Sequence, residues 1–181
     1  MEQEKRPTET EAGHSNSDGQ VGALVRQLLA GAVSGLVATI PMTLAMLVLH
    51  RLLPRYERFK LPPLQITDVL LHRTVGKATV NTATNRAVAF AMHFGYGTGV
   101  GAIFGPVAAR VPMSPIVTGV IYAVLIWAGS YLGWIPAADI LPPATRQPAR
   151  HNAIMILGHV IYGSALGILF GRVRPTSGSG G

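Results

Sequence analysis

Polar and apolar positions along the chain fall into long blocks, not a short period. Four segments carry no Asp, Glu, Lys or Arg: 27–49, 87–109, 111–138 and 152–171. Each exceeds the ~18 mostly apolar residues needed to cross a bilayer core of ~30 Å. A soluble helix would interrupt such a block with a polar stripe every third or fourth position, and these blocks have none. The pattern predicts an all-α polytopic membrane protein with four spans, at about 27–53, 87–107, 116–135 and 152–171. Residues 1–20 are rich in Glu, Thr, Ser and Asn and read as a disordered tail. Residues 172–181 end in Ser and Gly and read as a flexible tail. The membrane domain is therefore 21–171.

Local features refine the spans. Gly31 and Gly35 in span 1 are spaced to admit a second helix closely. Pro41, between Thr39 and Thr43, predicts a kink with hydroxyls at hand for the freed carbonyls. In the long loop 54–86, Pro62-Pro63 opens a short helix over about 64–75. Its Ile66, Val69, Leu70 and Leu71 are interleaved with Asp68, His72 and Arg73, the pattern of a helix lying at a membrane surface. Tyr131 and Trp134 suit the interfacial aromatic belt.

The most informative pattern is a repeat. Residues 93–107 read HFGYGTGVGAIFGPV and 159–173 read HVIYGSALGILFGRV, identical at seven of fifteen positions. The pairs are His93/His159, Tyr96/Tyr162, Gly97/Gly163, Gly101/Gly167, Phe104/Phe170, Gly105/Gly171 and Val107/Val173. The first six fall on one helical face, so the repeat marks a packing surface. Fainter echoes link residues 33–37 with 117–121 and Asp68 with Asp139. The unit is then a hairpin of two spans, about 27–107 and again 116–173. Two spans per unit give both copies the same orientation, with a pseudo-two-fold axis along the membrane normal and spans 2 and 4 facing across it. The paired His would lie at equal depth, about 9 Å inside the loop-side interface.

Composition narrows the function classes. Only 13% of residues are charged, about half the usual share of roughly 25%. The net charge of +7 sits mostly between spans, where it sets topology and meets anionic lipid. No nucleic-acid motif accompanies it. The absence of cysteine excludes disulfides, iron–sulfur clusters and thiol chemistry. The first span is too long for a signal-peptide core and reads as a retained anchor. Nine Lys or Arg lie in the two loops 51–86 and 136–150, against Arg26, Arg110, Arg172 and Arg174 on the other side. The positive-inside rule thus favours cytoplasmic loops.

Candidate chemistry is sparse. Ionisable groups inside spans are rare, so His93 and His159, with Tyr96 and Tyr162 a turn away, form a candidate proton, ion or cofactor site. Two imidazoles could ligate haem iron or a metal, or simply bond across a tight helix interface. Asp68 and Asp139 are candidate gates or helix caps. Gly31, Gly35, Gly97, Gly101, Gly105, Gly163, Gly167 and Gly171 are candidate packing positions. No nucleophile elbow, zinc-protease signature or phosphate loop is present, so the chain is expected not to be an enzyme.

The Gly-rich first span with Pro41-Met42-Thr43, followed by His-x-x-Tyr-Gly spans, resembles the YagU-like small bacterial inner-membrane proteins over about residues 30–171. The resemblance implies an inner-membrane location and no assigned activity. The leading expectation is a non-enzymatic accessory or self-associating protein, a homo-oligomer or part of a larger complex, docking through its glycine faces. The alternatives are a small channel or proton-coupled transporter, and a haem- or metal-binding electron carrier.

Overall fold

The computed structural model describes residues 9–58, 60–74 and 82–173, with side chains from residue 19 onward except Glu57. In chain order these form α1 (Glu9–Leu52), a 3₁₀ turn (Arg55–Glu57), α2 (Pro62–Thr74), α3 (Thr82–Arg110) and α4 (Pro115–Ala128). A π-helical stretch (Gly129–Trp134) joins α4 to α5 (Ile135–Ala137). A second 3₁₀ turn (Ala144–Arg146) precedes α6 (Ala149–Val173). The described residues contain no strand. Four helical segments are long and apolar enough to cross a bilayer: Gly19–Leu52, Thr82–Arg110, Pro115–Ala137 and Ala149–Val173. Their outer surfaces expose Leu29, Val33, Ile40, Leu44, Ile121 and Leu125, a belt that suits lipid and would be a liability in water.

The helices begin and end for local reasons. Ser114 accepts the Val117 amide at 3.3 Å and Pro115 follows at the first helical position, a start that needs few free donors. α1 begins at Glu9, inside the segment whose composition reads as a tail. A helix already nucleated by its span extends one hydrogen bond per residue and needs no core to do so. The last tail, from residue 174, lies outside the described residues. α1 also passes through Pro41 as one helix. Ser34, Thr39 and Thr43 bond back to the carbonyls of Ala30, Gly35 and Thr39, not to the Val37 carbonyl that Pro41 leaves without its amide.

Two helix pairs form the frame, α1 with α3 and α4 with α6, and α6 also packs along α1. Glycine sets both pairs. A Cβ on Gly35 would collide with the Gly97 carbonyl, and one on Gly31 with the Gly101 carbonyl. In the other pair a Cβ on Gly119 would strike the Gly163 carbonyl, and one on Gly167 the Pro115 carbonyl. The same register serves both: Gly35 and Gly119 hold equivalent places, as do Gly31 and Pro115, Gly97 and Gly163, Gly101 and Gly167. With no hydrophobic driving force between spans in lipid, such backbone approach supplies dispersion contact over a large area. Between the pairs, Phe104 and Phe170 meet edge to face, ring centroids 5.5 Å apart. Spans 2 and 4 thus face each other, at these rings.

α2 differs from the expected surface helix. Its Ile66, Val69 and Leu70 pack on a second core of Tyr131, Ile135, Ile140 and Ala144. The Arg73 guanidinium donates to the carbonyls of Ala138 (2.9 Å) and Asp139 (2.8 Å). The apolar face that reads as lipid-facing is used to tie the first loop to the second. Tyr131 is likewise only 7% exposed, stacked on Trp127, whereas Trp134 is 47% exposed. Of these two, Trp134 alone is available to an aromatic belt.

Candidate functional site

The four long helices leave a small central cavity of about 70 Å³ in the half nearest the loops. α3 supplies His93 and Tyr96, α6 supplies His159 and Tyr162, and α1 supplies Thr39. Met42, Gly97, Val100 and Ile126 complete its wall. The two His and two Tyr singled out by the repeat are therefore brought to one place, from two separate helices.

Each polar group is held differently. His159 Nδ1 lies 2.7 Å from the Met155 carbonyl. A carbonyl can only accept, so Nδ1 carries the hydrogen, and the neutral ring keeps Nε2 as its acceptor. The Tyr162 hydroxyl donates to the Gly97 carbonyl at 2.6 Å, from α6 to α3. Tyr96 takes another partner, Ser130 Oγ at 3.1 Å, which also accepts from Trp134 Nε1 at 3.3 Å. Tyr122 donates to the Val100 carbonyl at 2.8 Å. Three phenols thus fasten α3 to its neighbours. Ser130 and Tyr122 were not legible as site residues. The signal for Ser130 is its seat between Gly129 and Gly133, where the helix widens into a π-turn, a distortion that re-aims side chains.

The cavity is one-sided. His93 also lines a space of about 120 Å³ beside Thr67, Ser130 and Trp134. It lines as well a slot of about 320 Å³ between α1, α2 and the start of α3. Toward the chain termini the core closes: Phe104 and Leu166 are 0% exposed and Phe170 1%, with the Tyr122 ring 5.4 Å from Phe104. His93 is a junction toward the loops, and the phenylalanines are a floor.

The cofactor reading meets poor geometry. A cavity needs about 10–15 Å³ of volume to hold a water, so one of about 70 Å³ takes a few waters and no macrocycle. Among the described residues there is no cluster of three His, Cys, Asp or Glu. Two imidazoles alone fall short of the three or four protein ligands a zinc-type site uses.

The candidate aspartates do not cap helices. Asp68 forms an ion pair with Lys60 and accepts from Asn85 Nδ2. Asp139 is exposed, at φ 53°, and its carbonyl holds Arg73. Of the candidate glycines, Gly31, Gly35, Gly97, Gly101, Gly105, Gly163 and Gly167 each face another segment's backbone or side chain at short range. Gly171 does not: it is exposed, and the nearest atoms are those of the Pro115 ring at 3.6 Å. α4 starts at Pro115, so the helix that would cover Gly171 has not yet begun.

No curated protein and no solved structure matches the chain. One family profile does, over residues 25–179. It spans all four apolar helices and carries no assigned activity. Of the resemblance expected above, it supports membership of an uncharacterised family. The chain belongs to the family of unknown function DUF6789.

Proposed function

We propose that this is a non-enzymatic, proton-coupled transport protein of the bacterial inner membrane, with its loops in the cytoplasm and His93 and His159 as the proton site. One observation carries the reading: imidazoles from two helices line one cavity with room for a few waters, His93 also borders a second space on the loop side, and the core is packed shut at Phe104 and Phe170. Ionisable groups at such depth are costly and mark ion or proton routes. The bonding of His159 favours a coupled carrier over an open wire. With Nδ1–H engaged by Met155, a proton enters at Nε2 to give the imidazolium and leaves from Nε2 to restore the same tautomer. Such a ring stores a proton facing one space. Transfer to the far side then requires the phenylalanine floor to move. Of the repeated glycines all but Gly171 are covered by the chain's own helices, so a self-associating accessory subunit would have to dock on other surface, such as the open Gly95 and Gly99 of α3 or the lipid-facing aliphatic belt.

The test is proton flux in proteoliposomes under an imposed pH gradient, followed with an entrapped pH dye. Saturable flux that is lost in His93→Ala and His159→Ala, both still monodisperse on gel filtration, is expected. Native flux no greater than that of protein-free liposomes would overturn the proposal.

A further inference from the structure

On the loop side of His93 the molecule holds a second, larger feature that shares only His93 with the central cavity. The slot of about 320 Å³ is walled by aliphatic side chains of α1 and α2, notably Leu47 and Leu64, and by Phe90 of α3. Leu47 and Phe90 are exposed on the surface that faces lipid, so the slot opens sideways into the bilayer. At its loop-side end Arg86 lines both this slot and a polar cavity of about 360 Å³ formed with Lys60, Asp68, His72, Thr82 and Asn85. Arg86 and Leu64 thus border both an apolar slot and a polar chamber whose Lys60, His72 and Arg86 are open to solvent. Both are of the size that ligand sites occupy.

The chamber is built for an anion. Its one carboxylate, Asp68, is already met by Lys60 and by the Asn85 amide. Among the described residues Arg86 has no carboxylate partner, and His72 stands beside it in the same chamber. α3 starts here, with Thr82 at its first turn and Asn85 and Arg86 following, so the positive end of a 29-residue helix adds to the field. A guanidinium binds phosphate through two parallel hydrogen bonds. The amide orientation of Asn85, fixed by Asp68, leaves Oδ1 buried without a hydrogen-bond partner, an unsatisfied acceptor in the chamber wall.

We infer that this chamber and slot form a specific site for an acidic phospholipid, with the phosphate on Arg86, a headgroup hydroxyl at Asn85 and an acyl chain along Leu47, Leu64 and Phe90 past His93. The occupant comes from the bilayer, because the slot opens there. The site does not depend on proton transport. One Arg–phosphate contact near the membrane surface contributes about 1 kcal/mol, equivalent to about fivefold in affinity.

The full chain, delipidated in detergent, is offered equal amounts of dioleoyl phosphatidylglycerol and dioleoyl phosphatidylcholine, and bound lipid is counted by native mass spectrometry. One phosphatidylglycerol is expected to be retained in preference. Arg86→Ala should lower phosphatidylglycerol retention about fivefold, Arg86→Lys should keep part of it, and Leu47→Trp should block the slot and lower occupancy by both lipids. Equal retention of the two lipids, or an Arg86→Ala protein that behaves as the native one, would overturn the assignment. So would displacement of phosphatidylglycerol by millimolar inorganic phosphate together with indifference to Leu47→Trp, which would make the chamber a site for a free anion.

Discussion

The Tyr162 hydroxyl reaches across from α6 to donate to the Gly97 carbonyl at 2.6 Å. Both residues are buried, and a Cβ on Gly35 would come within 3.1 Å of the Tyr162 hydroxyl. Tyr162→Phe keeps the ring and removes the bond. It should lower stability by about 1 kcal/mol, within the range of a net intramolecular hydrogen bond, as read by a fall in the denaturation midpoint in detergent. An unchanged midpoint would mean that the bond holds little of the α3–α6 contact.

Glycine substitutions should separate into two groups. Gly35→Ala and Gly167→Ala place a methyl against backbone that cannot yield without separating two helices. Each should cost about 1–3 kcal/mol or more. Gly99→Ala meets open space and should be neutral or mildly stabilising through helix propensity. Thermal unfolding of the three purified variants decides this, and a similar loss in all three would count against the register described for the frame.

The floor of the cavity can be tested apart from the histidines. Phe104→Ala removes a ring that is 0% exposed, set edge to face on Phe170 and tilted against Tyr122. It should cost about 3–5 kcal/mol and, where the protein still folds, raise the proton leak in liposomes. Phe104→Leu, which keeps most of the volume, should restore the barrier. A tight Phe104→Ala protein would place the seal elsewhere.

Arg73 ties α2 to the second loop through two carbonyls. Arg73→Ala should loosen α2 while leaving the frame intact, because none of the glycine contacts involve it. Amide hydrogen exchange should rise several-fold across 62–74 and remain unchanged in α1 and α6. Uniform acceleration across all helices would instead make Arg73 a global stabiliser.

The number of membrane helices was legible because burial in lipid writes itself as uncharged blocks of sufficient length. The site was legible in part. His93, Tyr96, His159 and Tyr162 share a face with the repeated glycines, and helical spacing alone puts them together. What pattern could not supply was direction. Tyr96 and Tyr162 occupy matching positions yet bond to Ser130 and to the Gly97 carbonyl, since the π-turn at Gly129–Trp134 exists in only one of the two hairpins. The role of α2 was missed for a related reason. An apolar stripe on a short helix looks the same whether it faces lipid or Ile140 and Ala144. Asp139, likewise, reads as a cap by residue type, but its left-handed backbone puts the useful group in its carbonyl.

The shared register of the two helix pairs has a consequence for stoichiometry. Gly35 and Gly97 lie farther apart in the chain than Gly119 and Gly163, and α2 sits in that longer connection. The frame is doubled, but the lid is single. α2 walls the lipid slot and helps enclose the charged chamber beside Arg86, and the second hairpin has no counterpart of it among the described residues. Each chain should therefore hold one phospholipid, not two, and a near-symmetric scaffold acquires a functional front and back from a single inserted helix.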